Sequence, residues 1–262
     1  MKKPFDKYWY YHASVQDPDE TLGFIANTYR RQFTKRALTL GEDFCGTFAL
    51  SAEWVKRDGT RRAVGVDLDP KPIKYGMTHY FSALTPDEQK RIQIINANVL
   101  DGGLPKVDAL AAMNFSYFVF KQRKQLLAYL KNCHRRLNKK GILVLDTFGG
   151  TSTMEPNEDE SRLRGFTYFW DQATFDPVTH HSMFYIHYKR KGERKREKVF
   201  RYDWRMWSIP ELTECLEEAG FTESQVWWED TDKRGHGTGT FSLTKGEKNC
   251  PAWVSYVVGV KR

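Results

Sequence analysis

The chain has 262 residues, 40% of them hydrophobic, with a formal net charge of +8 and a pI near 9.2. That length can bury a complete core, no apolar run approaches the ~20 residues that span a bilayer, and the start Met1-Lys2-Lys3-Pro4-Phe5-Asp6 lacks the apolar stretch of a signal peptide. Cys45, Cys133, Cys215 and Cys250 are scattered without paired metal spacing, which fits reduced thiols in a cytoplasmic protein and not a disulfide framework or zinc site.

From residue 37 to 147, strand and helix signals alternate, the pattern of a parallel sheet covered on both faces. Ala37 to Glu42 reads as the first strand and Thr47 to Arg57 as a helix, with Leu50 and Trp54 on one face. Arg62 to Asp67 is a second strand, and Pro70 starts the next helix. Ile92 to Asn96 and Ala109 to Met113 supply two more strands. Leu126, Leu130, Cys133 and Leu137 recur at helical spacing until Asn138-Lys139-Lys140-Gly141 stops the helix. Ile142 to Asp146 is a continuous apolar strand of the kind buried on both faces.

The pattern then changes. Thr151 to Arg164 is polar and acidic and reads as a loop. Strand signals follow at Phe166 to Phe175, Ser182 to Arg190 and Val199 to Trp207. In the third, Phe200, Tyr202, Trp204 and Met206 alternate with polar residues, as in a half-buried antiparallel strand. Ser208-Ile209-Pro210-Glu211 is a capping box opening a helix that runs to Gly220. Gln225 to Trp228 and Trp253 to Val260 close the chain as strands. The reading is one α/β domain: an N-terminal cap (1-36), a doubly wound Rossmann-like core (37-147), an antiparallel β-sheet inserted after the fifth strand (148-207), and a final helix and strand pair (208-262).

Ligands of open parallel sheets bind beyond the carboxyl ends of the strands. The first strand ends in Gly41-Glu42-Asp43-Phe44-Cys45-Gly46-Thr47-Phe48, and the second in Gly65-Val66-Asp67-Leu68-Asp69-Pro70. Asp67 follows the first motif at the spacing of a ribose-binding acid, and a carboxylate accepts from both ribose hydroxyls. Gly46 lets the backbone approach a ligand.

These residues resemble the class I S-adenosylmethionine-dependent methyltransferases, within them a subgroup whose first motif reads Glu-Asp-Phe-Cys-Gly-Thr. The resemblance covers Ala37 to Thr147 and extends more loosely to the C-terminal helix and strands. It implies S-adenosyl-L-methionine as cofactor. Glu42 takes the acidic position of the first motif, with Phe44, Cys45, Gly46 and Thr47 around the methionine moiety. Asp67 holds the ribose, Leu68 packs on adenine beside Asp69, and Asn98 with Val99 meets the adenine amine. Asn114 and Phe115 line the methyl-transfer site.

Two departures stand out. Phe44 and Phe48 occupy the places of the first and third glycines, so a different local turn is expected. Asn98 replaces a common aspartate. The absence of a Gly-x-Gly-x-x-Gly turn argues against a nicotinamide-binding fold.

Methyl transfer from a sulfonium needs orientation more than a catalytic side chain. Tyr117 is the leading candidate for positioning an acceptor, followed by Tyr11 and His12 in the aromatic segment Tyr8 to Gln16. His180, His181 and His187 have no acidic or cysteine partners in register and read as strand residues, so no metal is expected. A small-molecule acceptor ranks ahead of RNA or protein. The RNA or protein reading rests on the basic run Lys189 to Lys198, which also fits a solvated hairpin tip. A non-catalytic binding module is the third reading, prompted by the two replaced glycines. No membrane partner is expected, and the sequence leaves the oligomeric state open.

Overall fold

The computed structural model describes residues 4–262. Its elements run α1 (Lys7–Val15), α2 (Pro18–Phe33), β1 (Thr39–Asp43), α3 (Ala49–Lys56), β2 (Arg62–Asp67), α4 (Pro70–His79), α5 (Pro86–Gln89), β3 (Ile92–Asn96), β4 (Val107–Ala112), α6 (Arg123–Arg136) and β5 (Leu137–Gly149). There follow β6 (Asn157–Leu163), β7 (Phe166–Phe175), β8 (His181–Arg190), β9 (Arg196–Arg205), α7 (Ile209–Glu218), β10 (Glu223–Thr231), β11 (Gly237–Thr244) and β12 (Trp253–Lys261).

An eight-stranded sheet has the order β11-β10-β12-β5-β4-β1-β2-β3. Strands β3, β2, β1, β4 and β5 are parallel, and β12 enters antiparallel to β5. The chain therefore reverses direction across the sheet between β1 and β4, and the ends of those strands open a crevice for ligands. Leu143, Val144 and Leu145 on β5 and Ala109, Leu110 and Ala111 on β4 are fully buried, as central parallel strands with helices on both faces require.

A second, antiparallel sheet has the order β6-β7-β8-β9 and leaves the core where β5 ends. It has one more strand than expected. The stretch 151–164, read as a loop, contains a short 3-10 turn and then β6, which pairs with β7 from Asn157↔Gln172 to Leu163↔Phe166. Asn-Glu-Asp-Glu-Ser-Arg-Leu has no apolar alternation because β6 is an exposed edge, and charges on an edge discourage pairing with other chains. Strand β11, rich in glycine and threonine, is likewise an edge strand without an earlier sequence signal.

The aromatic face of this second sheet packs in two directions. Trp204 and Phe184 meet Phe118 and Phe148 of the core. Phe166 and Tyr188 meet Phe5 and Tyr10 at α1. The N-terminal helix is thus held between the added sheet and the mouth of the core sheet.

Candidate active site

At the end of β1 the chain makes a tight turn. The Cys45 N–H donates to the Val66 carbonyl (3.0 Å), the Gly46 N–H to Asp67 Oδ2 (2.7 Å), and the Phe48 N–H to the Cys45 carbonyl (2.6 Å). Phe44, Gly46 and Phe48 all have positive φ, at 56°, 52° and 50°. The expectation of a different turn at the two phenylalanines is corrected: they adopt the left-handed backbone that glycine ordinarily supplies. Each such residue costs about 1–2 kcal/mol, and neighbouring packing holds it. Phe44 lies against Phe120 and Tyr129, with ring centroids 5.9 and 5.6 Å away. The fully buried Phe48 ring lies over Gly76 of α4, where an added Cβ would come within 2.4 Å of Phe48 Cε1 and 2.2 Å of the Thr47 carbonyl oxygen. Left-handed Phe48 also delays the helix, so α3 begins at Ala49 and not at Thr47.

A second left-handed turn sits at the end of β4, where Asn114 and Phe115 have φ of 58° and 57°. Their N–H groups donate to the two oxygens of Asp146, at 2.6 and 2.9 Å. Burial raises the Asp146 carboxyl to about 7 despite those two donors. Strained residues of this kind concentrate at functional sites.

Glu42 is buried, and its Oε2 accepts from the Ser51 N–H (2.8 Å) and hydroxyl (2.5 Å). Desolvation raises its carboxyl to about 7, against the two Ser51 donors. Asp67 also has a raised carboxyl, from burial first, while the Asp69 and Gly46 N–H groups oppose the shift. Cys45 is buried, and desolvation raises its thiol well above the ordinary range.

Three adjoining cavities open above these turns. The first, of about 230 Å³, is bordered by the β1 turn from Glu42 to Thr47, by Asp69, and by Lys7, Tyr8 and Tyr11 of α1. The second, of about 270 Å³, lies between Glu42, Asp146, Glu20 and Glu229. The third, of about 450 Å³, lies under the added sheet, among Tyr11, Trp170, Tyr202, Trp204, Trp228 and Trp253. Asn114 borders all three, so they form one cleft across the ends of β1, β4 and β5.

The sequence-derived candidates distribute unevenly over this cleft. Glu42, Phe44, Cys45, Gly46, Thr47, Asp69, Asn114 and Tyr11 border the first cavity. Phe115 borders the other two. Leu68 is 68% exposed at the end of β2, and Asn96 of the adjacent β3 fixes that corner by donating to the Asp67 and Leu68 carbonyls. Asn98 spends its side-chain oxygen on the Leu100 N–H (2.9 Å), and Val99 is buried with its carbonyl accepting from Asn132.

Tyr117 does not fit its expected role. It is fully buried in the core, its hydroxyl donates to the Asp146 carbonyl (2.8 Å), and it borders none of the three cavities. His12 faces Gln16 and Tyr80 and borders none of them. Tyr11 and Tyr202 both reach the first and third cavities, where they interact with one another. Met113, Trp228, Glu229 and Trp253 also line the cleft, although sequence reasoning named none of them for it.

His187 does have acidic neighbours, contrary to the expectation from sequence. Asp171 and Glu158 approach its Nε2 at 3.0 and 3.7 Å. Its Nδ1 accepts from the Lys198 N–H (2.7 Å), while Lys195 pairs with Glu158. The basic run is likewise engaged within the chain: Lys195 lies over Phe169, Arg196 over Phe5 and Lys198 over Tyr185, and Arg190 and Arg196 pair with Glu193.

No protein-family model matches the chain, and no curated protein matches it. Solved structures do. A S-adenosylmethionine-dependent methyltransferase from Clostridium acetobutylicum superposes with a TM-score of 0.69 at 16% identity, over 97% of this chain and 98% of that one. DesVI from Streptomyces venezuelae gives 0.68 at 16% identity, over 99% and 100%. The sugar N-methyltransferase KedS8 from a Streptoalloteichus species gives 0.64 at 18% identity, over 100% and 95%. The likeness at these identities is one of fold, added antiparallel sheet included: this chain has the fold of the S-adenosylmethionine-dependent methyltransferases.

Proposed function

We propose that the protein is a S-adenosylmethionine-dependent methyltransferase acting on a small-molecule acceptor. The observation that carries the reading is the single cleft in which Asn114 borders all three cavities. A ligand on the glycine turn and a second ligand under the added sheet would meet there.

The residues present fit the cofactor. Nothing lies within 4 Å of where a Cβ on Gly46 would be, so the backbone is open to a ligand at that point. Asp67 keeps acceptor capacity for ribose hydroxyls beyond its two backbone bonds. The exposed Leu68 offers an apolar surface to adenine. When bound, the cofactor supplies a methyl group already activated as a sulfonium. What remains for the chain is to orient the two ligands and exclude water. Tyr11 and Tyr202 stand between the first and third cavities and would position the acceptor. Solved neighbours include the sugar N-methyltransferase KedS8 and the amino pentose methyltransferase CalS10, which supports an acceptor of modest size.

The test is transfer of a tritiated methyl group from S-adenosylmethionine into a cell extract divided by size. Label is expected in the small-molecule fraction, and nuclease treatment should not alter it. Label confined to RNA or to protein would overturn the small-molecule reading.

A further inference from the structure

Charge is distributed unevenly between the surface and the cleft. The chain carries a net +8, yet among the described residues no Lys, Arg or His lines the second or third cavity. The acids Asp17, Glu20, Glu42, Asp146, Asp159 and Glu229 do. The third cavity also carries two groups of aromatic side chains on opposite sheets. Trp170, Tyr202 and Trp204 come from the added sheet, Tyr202 and Trp204 with centroids 4.4 Å apart. Trp228 and Trp253 come from the core sheet, 4.8 Å apart.

Glu229 belongs to both cavities. Its Oε1 accepts from the Gly239 N–H at 3.0 Å, and it enters no ion pair among the described residues. The backbone is shaped around it and its neighbour: a Cβ on Gly237 would fall 2.3 Å from Glu229 Oε1, and one on Gly239 would fall 2.4 Å from Glu20 Oε1. Two glycines on β11 thus make room for two carboxylates at the cavity wall. A half-buried carboxylate without a protein cation, beside π faces, suits a ligand that brings a positive charge.

We infer that the acceptor is a cationic amine bound by the aromatic walls, with Glu229 as its counter-charge. The inference rests on the methyltransferase reading and names its substrate class. The bound ammonium first loses its proton to water. The amine lone pair then forms the N–C bond as the C–S bond breaks, the bonding pair staying on sulfur as a neutral thioether. Nitrogen carries the positive charge afterwards, so the product still suits the acidic cavity.

The experiment uses the fluorescence of the cavity tryptophans, with saturating S-adenosylhomocysteine and without it. Phenyltrimethylammonium, its neutral carbon isostere tert-butylbenzene and the anion phenylacetate serve as probes. The cation is expected to bind roughly tenfold more tightly than the neutral isostere, and Glu229→Gln, which keeps the acceptor for Gly239, to lose most of that preference. Equal binding of the three probes, binding of none, or full preference retained in Glu229→Gln would overturn the inference. Calorimetry with S-adenosylmethionine on the same preparation separates the two claims. Cofactor binding without cation preference removes only the substrate class, whereas cation preference without cofactor binding removes the methyltransferase reading.

Discussion

Phe44 and Phe48 show how a residue unsuited to a backbone conformation can be kept in it. The left-handed turn needs a compensating term, and each ring supplies one by packing, Phe44 on Phe120 and Tyr129, Phe48 on α4. Nothing in the one-dimensional pattern separates this outcome from a changed turn. Tyr117 is the converse case: its place after the fourth strand was legible, but the direction of its hydroxyl depends on the Asp146 carbonyl, which only the folded chain brings near. Glu42 offers a measurement at this scale. Its carboxyl is raised from 4.5 to about 7, so it keeps its proton in the folded chain after the unfolded chain has ionised. Its contribution to stability is therefore complete below about pH 4.5 and is lost as pH rises through about 7. Glu42→Gln should equal the wild type near pH 4 and exceed it by roughly 3 kcal/mol near pH 8, read by chemical denaturation. A stability difference that does not change with pH would show that Glu42 titrates normally.

Among the elements, strands with apolar runs or alternation were legible, the edge strands β3 and β9 included, and the polar edge strands β6 and β11 were not. Arg62–Asp67, Ile92–Asn96 and Phe166–Phe175 have the bounds read from sequence. The capping box at Ser208 and Glu211 is formed by both of its hydrogen bonds. Strands β6 and β11 face solvent, so no apolar periodicity marks them. The cleft residues Trp228, Glu229 and Trp253 were missed for a related reason. They lie on C-terminal strands distant in sequence from the cofactor turn, and only pairing of β12 with β5 carries them to the cleft. Helix α4 is tied to the cofactor turn by a close contact at Gly76. Gly76→Ala would press a methyl into the Thr47 carbonyl and the Phe48 ring. We expect a loss of about 1–3 kcal/mol in stability, as for overpacked cores, with weaker cofactor binding. An unchanged melting temperature and affinity would mean that the turn and helix are not coupled.

Across the whole molecule the net charge is positive, while the second and third cavities of the cleft carry acids and no basic side chain among the described residues. No helix among the described residues is long and apolar enough to cross a membrane. The basic hairpin was the main argument for RNA, but much of its charge is spent on Glu158, Glu193 and aromatic rings. Replacing Lys189, Lys191 and Lys198 by serine should therefore leave RNA affinity weak and its salt dependence unchanged in filter binding. A marked loss of affinity with a shallower salt slope would restore an RNA-tracking role. The central claim is that the turn from Phe44 to Phe48, with Asp67, holds S-adenosylmethionine. Isothermal titration calorimetry with S-adenosylmethionine and S-adenosylhomocysteine tests it most directly. The wild type is expected to bind both, and Asp67→Ala to weaken both by roughly 1.5–3 kcal/mol, as for a lost charged acceptor. Asp67→Asn and thermal melts control for the hydrogen bond that Asp67 accepts from the Gly46 N–H. Absence of binding by the folded wild type would contradict the account.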